Sequence, residues 1–348
     1  MKKLIALVAA MVMVAGYAYA GSQWNFYGSA RISTFKVDTE IPGSRDTDNY
    51  AQALQSNARI GAKVKTNDTV SGGFEYGTSK GNANIRLLYG AWNFGAGTLV
   101  VGQTYSPLNL FYSNQVYGTD LDMLTMGGVY SGREPMLELK FGSFQVALVA
   151  PSTGTTLTGY STVDTDIPGI EAKYTFKQDN FMIQAAGGYQ TYDVLNAAGA
   201  SISIDSYVLA LGGKINIGQI YIAGDVFTGQ NVGNMILMDT SNGTYTGGTP
   251  VINAAGNDTN DNNAVGYLVV LGAKINDMFS VEFGYGTTQT DFDESAGNPD
   301  DDVTGYYAQA TITLAPGVFI IPEIGTIDYE ENTQNEVDYI GAKWQINF

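Results

Sequence analysis

The 348 residues contain no cysteine and no histidine. That absence excludes a disulfide framework, Ser-His-Asp and Cys-His nucleophilic machinery, and most transition-metal centres. Cations are scarce as well: 17 lysines and arginines stand against 34 acids, a net charge of −17. A chain so acidic has no surface for a phosphate backbone, so nucleic acid is excluded as a partner. Long apolar runs are missing beyond the first twenty residues, and a spanning helix would need about 20. Those twenty residues read as a secretory signal: Lys2 and Lys3, an apolar stretch Leu4 to Ala15, then Ala18-Tyr19-Ala20 as a small-x-small cleavage site. Met1–Ala20 is therefore expected to be removed, leaving residues 21–348 as a single domain. Without Lys2 and Lys3, 15 basic residues face the 34 acids, a net charge of −19. No paired-acid motif suggests a carboxylate-based enzyme. The acid-rich stretches Asn257–Asn263 and Asp293–Asp302 lack the spacing of a calcium loop. The expectation is no catalysis, no metal and no cofactor.

The chain is rich in glycine, 43 residues, and tyrosine, 23 residues, with only 15% charged. Both suit a curved sheet with aromatic girdles at two interfaces. Apolar and polar residues alternate with a period of two. Ile340, Ala342, Trp344, Ile346 and Phe348 share one face; Tyr339, Gly341, Lys343, Gln345 and Asn347 share the other. Asn57, Arg59, Gly61, Lys63 and Lys65 likewise oppose Ala58, Ile60, Ala62 and Val64, and Tyr207–Ile217 repeats the pattern. The stretch near Phe319 is irregular, because Phe319 and Ile321 share a face with Glu323.

Short turns such as Thr66–Thr69, Gly95–Gly97, Gly218-Gln219 and Pro316-Gly317 carry the residues tight hairpins need. They alternate with other, mostly longer and more polar connections. This rhythm predicts an all-β fold: a transmembrane 16-stranded antiparallel β-barrel with short turns at one end and loops at the other. An open edge in lipid would leave backbone groups without partners at several kcal/mol each, so the first and last strands must pair. A barrel of this size keeps an aqueous lumen. A soluble all-β protein is the competing reading, but it requires no strict alternation of short and long connections.

The third outer loop, Pro107–Arg133, departs from its peers. Leu108, Leu110, Phe111, Val116, Leu121, Met123, Leu124 and Met126 are too apolar for a segment in solvent. They predict a loop folded into the barrel against its wall, with Asp120 and Asp122 at the narrowest point. Arg31 shares the inward face of the first strand with Asn25, Ser29 and Ser33, and Arg59 and Lys63 lie on the polar face of the second.

Gly118-Thr119-Asp120-Leu121-Asp122-Met123-Leu124 followed by Gly127-Gly128, in the third outer loop, resembles the constriction loop of trimeric general-diffusion porins of Gram-negative bacteria. Arg59, Arg86 and Arg133 fall where that family places wall arginines, and Arg31 and Lys63 extend the set. The resemblance implies a pore constriction of Asp120 and Asp122 opposed by Arg59, Arg86, Arg133, Arg31 and Lys63. It also implies a homotrimer in the outer membrane, bedded in lipid, through which small hydrophilic solutes and ions diffuse. Two departures stand out: Thr125-Met126 replaces the family's Pro-Glu-Phe, and the second outer loop, which latches neighbouring subunits, is only about Lys80–Asn82. The acidic outer loops suggest a weak cation preference. A solute-specific channel, and an adhesin or receptor displaying Val232–Asn263, are the alternatives.

Overall fold

The computed structural model describes residues 22–40, 43, 45–79, 82–153, 160–196, 200–238, 247–252, 258–293, 301–329 and 336–348. The expected signal Met1–Ala20 and most of the acidic stretch Asp293–Asp302 lie outside them. Eighteen segments form one antiparallel sheet. Two staves are interrupted, so the sheet is a closed barrel of sixteen strands. The first eight are β1 Gln23–Glu40, β2 Thr47–Leu54 continuing as Arg59–Lys65, β3 Val70–Ser79, β4 Asn82–Asn93, β5 Thr98–Tyr105, β6 Arg133–Phe141, β7 Phe144–Val149 and β8 Tyr160–Asp164 continuing as Gly169–Lys177. The rest are β9 Phe181–Asn196, β10 Ser201–Ile217, β11 Ile220–Gln230, β12 Asn262–Lys274, β13 Phe279–Phe292, β14 Asp301–Ala315, β15 Val318–Tyr329 and β16 Glu336–Asn347.

Closure is made by β1 and β16, in register from Ser29 opposite Asn347 to Glu40 opposite Glu336. Every stave thereby has two neighbours, and no edge is left open to lipid. The alternation expected from sequence is reproduced with its sense inverted relative to a soluble sheet. On β10, Leu209, Leu211, Ile215 and Ile217 are exposed while Ile204, Val208 and Ala210 are buried. The exposed apolar residues form the lipid band. Aromatic pairs mark its inner rim, with Trp24 against Phe26, Trp92 against Phe94 and Phe176 against Phe181.

The core lies between the inserted loop and the inner wall rather than between two sheets. Leu108, Leu110, Tyr112, Val116, Met123, Met126 and Val129 of the loop pack on Val208, Phe227, Leu268 and Val270 of β10 to β12. Val232, Met235 and Ile236 of the sixth outer loop fold into the same cluster. Phe111 is a correction to the expectation of burial: it is 46% exposed, its ring meeting those of Tyr105 and Tyr130 edge-on rather than joining the loop's core. The irregular face of β15 has a reason, since Ile321 joins the loop's core and Glu323 bonds the loop's backbone.

Candidate functional site in the barrel lumen

The loop enters from β5 and is fastened to the inner wall by inward-facing carboxylates. Glu171 on β8 accepts the Leu108 N–H at 2.9 Å and the Ser131 hydroxyl at 2.7 Å. Glu282 on β13 accepts the Asn114 N–H at 2.8 Å and the Asn114 side-chain amide at 2.6 Å. Glu323 on β15 accepts the Val116 and Tyr117 N–H groups at 2.6 and 2.9 Å. Hydrogen bonds to an ionised acceptor contribute about 1.5–3 kcal/mol each, so the backbone of an irregular segment is satisfied by the wall. The loop could not otherwise be buried.

Glycines let the loop backbone approach. A Cβ at Gly286 would lie 2.1 Å from the Met126 carbonyl oxygen, and one at Gly127, whose φ is +85°, would lie 1.9 Å from that of Tyr267. Asp120, Asp122 and Met123 also hold positive φ, at 63°, 51° and 57°. Three such residues in one turn are a strained arrangement, of order 1–3 kcal/mol each. The wall contacts hold it in place.

At the loop's tip Asp120 is 8% exposed. Its carboxylate meets Arg31 Nη1 of β1 at 2.6 Å and Lys343 Nζ of β16 at 3.0 Å. Gln55 and Asn57 reach the same turn from the break in β2, where four residues stand opposite Ala30 and Arg31. Gln55 Nε2 donates to the Val116 and Gly118 carbonyls, and Asn57 Nδ2 to that of Thr119. Extra residues in a strand re-aim side chains beside functional sites, and here they turn two amides toward the loop.

The other predicted cations sort differently. Arg86 is inserted by a register shift in β4 opposite Glu75 and Tyr76. It is only 3% exposed, bonding Glu75 at 2.6 Å and Asn57 Oδ1 at 2.7 Å. Arg59 reaches the same Glu75 at 3.5 Å. Arg133 lies over the Tyr105 ring, 5.5 Å from its centroid. Lys63 lies opposite Asn25, four residues below Arg59, about 13 Å nearer the inner end. Asp122 forms no ion pair among the described residues, and its backbone N–H bonds the Gln115 carbonyl. The structure thus joins Arg31 to Asp120 and Arg59 to Arg86 through Glu75, and leaves Lys63 apart. The sequence reading missed Lys343, Glu75 and the three wall glutamates. Their signal was a carboxylate or lysine at an inward parity position within an otherwise apolar or small stretch.

The acids near the outer ends of the strands sort by face. On β1, β9, β10, β13 and β16, Asp38, Asp193, Asp205, Asp291, Glu336 and Asp338 share parity with the lipid-facing residues Phe26, Tyr189, Leu209, Phe283 and Ile340. They face outward from the barrel, away from the lumen.

Residues 6–333 match a family model described as Gram-negative porin. No curated protein sequence matches. Among solved structures, the outer membrane channel DcaP of Acinetobacter baumannii is similar at 18% identity over 94% of this chain and 98% of that one, with a TM-score of 0.75. An anion-selective porin from Comamonas acidovorans shares 11% identity over 94% and 100%, with a TM-score of 0.62. The trimer form of OmpT from Vibrio cholerae shares 14% over 93% and 99%, with a TM-score of 0.56. At these identities the structural likeness speaks to the fold.

Proposed function

Because the chain belongs to the Gram-negative porin family and its place is the outer membrane, we propose that it forms a water-filled channel for passive diffusion of small hydrophilic solutes and ions. The observation that carries this is the loop Pro107–Arg133, drawn through the lumen of a closed barrel and bonded to Glu171, Glu282 and Glu323 of its wall. A channel is narrowed this way; an enzyme needs a reacting group, and the sequence offers no nucleophile–base pair. The constriction is assigned to Asp120 with Arg31 and Lys343, flanked by Asp122 and by the Arg59–Glu75–Arg86 chain, with Arg133 at the loop's root.

The weak cation preference expected from net charge and the acidic outer loops draws nothing from Asp38, Asp193, Asp205, Asp291, Glu336 and Asp338, whose parity turns them outward. A homotrimer is the proposed assembly, supported by the trimer form of the Vibrio cholerae relative. Its latch is not the second outer loop, which the strand ends Ser79 and Asn82 confine to two residues.

Purified protein in a planar bilayer tests the proposal: stepwise conductance that closes in three levels is expected. Uniform failure to conduct overturns the channel, and solitary single steps overturn three independent pores. A solute-specific channel is the second reading, favoured by the exposed Phe111 with Tyr105 and Tyr130, 5.4 and 5.8 Å away. Saturable flux of one solute class would select it. An adhesin role for Val232–Asn263 is disfavoured where Val232, Met235 and Ile236 pack inside the barrel.

A further inference from the structure

Total charge hides how charge is divided between the two faces of the wall. Strand parity assigns each side chain to lipid or lumen, and no register shift interrupts it where the charges lie. Among the described strand lysines, Lys36 alone shares the outward face. Lys63, Lys65, Lys140, Lys177, Lys214 and Lys274 all face the lumen, and each stands within a few residues of a short inner turn. The barrel is therefore polarised twice: acids outside at the outer end, lysines inside at the inner end.

The inner lysines are not all neutralised. Lys65 and Lys274 pair with turn acids Asp68 and Asp277 at 2.8 and 2.7 Å, and Lys140 pairs with Glu138 at 3.2 Å. Lys63, Lys177 and Lys214 form no ion pair among the described residues; Lys214 sits over the Tyr221 ring at 3.8 Å. Above them, five of the lumen's carboxylates are occupied, while Asp122 forms no ion pair and the buried Asp225 oxygens have no hydrogen-bond partner among the described residues. Glu75 serves two arginines, Asp120 serves Arg31 and Lys343, and Glu171, Glu282 and Glu323 receive loop N–H groups. An inner cavity of about 570 Å³ beneath the loop is lined by Lys274, Lys343, Gln345 and Tyr221, with Glu282 its one carboxylate.

Position decides which charges an ion in transit meets. Mobile salt screens charges beyond about 8 Å at physiological ionic strength. Low-dielectric walls also concentrate the field of charges that line a cleft. The outward carboxylates stand across the wall from the lumen, whereas the lysines are in it. We propose that the inner vestibule is an anion filter, with Lys63, Lys177 and Lys214 as its selecting charges, and that the channel favours small anionic solutes despite its net charge of −17. This rests on the channel reading above and adds the class of solute.

The test is the reversal potential of the full-length mature protein in a planar bilayer under a KCl gradient. A chloride-to-potassium permeability ratio above one is expected. The triple variant Lys63→Glu/Lys177→Glu/Lys214→Glu should lower that ratio severalfold, to below one. Should the charge reversals hinder folding, Lys63→Gln/Lys177→Gln/Lys214→Gln should still lower it with single-channel steps retained. The outer-face pair Asp38→Asn/Asp338→Asn should leave the ratio unchanged. Potassium preference in the wild type overturns the filter, as does an unchanged ratio in the glutamine variant. Absence of conductance in the wild type would sink the channel reading itself, a result distinct from either.

Discussion

Arg31 on the first strand grips Asp120 of the inserted loop at 2.6 Å, with both groups largely withdrawn from water. Lys343 completes the clasp from the last strand. The loop's tip is therefore fastened at the seam where the barrel closes.

Asp120→Ala should unseat that tip. Removing one partner of a buried charge pair costs about 3–5 kcal/mol, because the remaining charges lose their compensation. The double variant with Asp122→Ala is expected to pass larger neutral sugars into liposomes and to raise single-channel conductance. Unchanged conductance, selectivity and sugar flux would remove both residues from the constriction.

Glu323→Gln tests the wall's hold on the loop without altering its shape. The amide keeps one oxygen to accept a loop N–H, while its nitrogen, a donor, replaces the oxygen that took the other, and the charge that strengthens both bonds is gone. More frequent brief closures in single-channel records are expected, together with faster proteolysis within 107–133. Records and cleavage matching the wild type would show that the charge is dispensable.

Gly286→Ala should do similar damage from the opposite partner. The added methyl would meet the Met126 carbonyl oxygen at 2.1 Å, and an overpacked contact of this kind costs about 1–3 kcal/mol. Gly90→Ala is the matched control, since nothing lies within 4 Å of a Cβ there. A lowered unfolding temperature is expected only for the first; equal temperatures would mean that the loop can shift freely.

Acid should strengthen the anion preference in a defined window. Hydrogen bonds from Lys65 and Lys274 hold the carboxyls of Asp68 and Asp277 below the ordinary range. Both acids thus stay ionised and paired at neutral pH, and release their lysines only as pH falls below the ordinary carboxylate range. Asp68→Asn/Asp277→Asn should show at pH 7 the higher chloride-to-potassium ratio that the wild type reaches only in acid. Coincident ratios for variant and wild type at pH 7 would mean that these lysines do not act on ions.

The architecture was legible because lipid enforces it: Leu209, Trp344 and their kind must alternate with residues that face water, and Gly218-Gln219 or Pro316-Gly317 must turn. The inserted loop was legible because Leu108, Val116 and Met126 had nowhere else to be buried. Partner choice within the lumen was not. Arg59 and Arg86 lie on an inward face in sequence whether they meet a loop acid or Glu75, and only three-dimensional register brings Glu75 between them. Lys343 was placed on the right face but lies 223 residues from Asp120. Parity read strand by strand would also have shown that Asp38, Asp193, Asp205, Asp291, Glu336 and Asp338 are turned outward, a conclusion net charge cannot give.

The clasp at the seam also imposes an order in time. Lys343 arrives with the last strand, and β1 gains its second neighbour only when β16 docks. Until that moment Asp120 has one of its two cations and the wall is unclosed. Sealing the cylinder and setting its aperture are therefore one event, so a chain halted before its final hairpin would leave a gap in the membrane with no finished filter inside it.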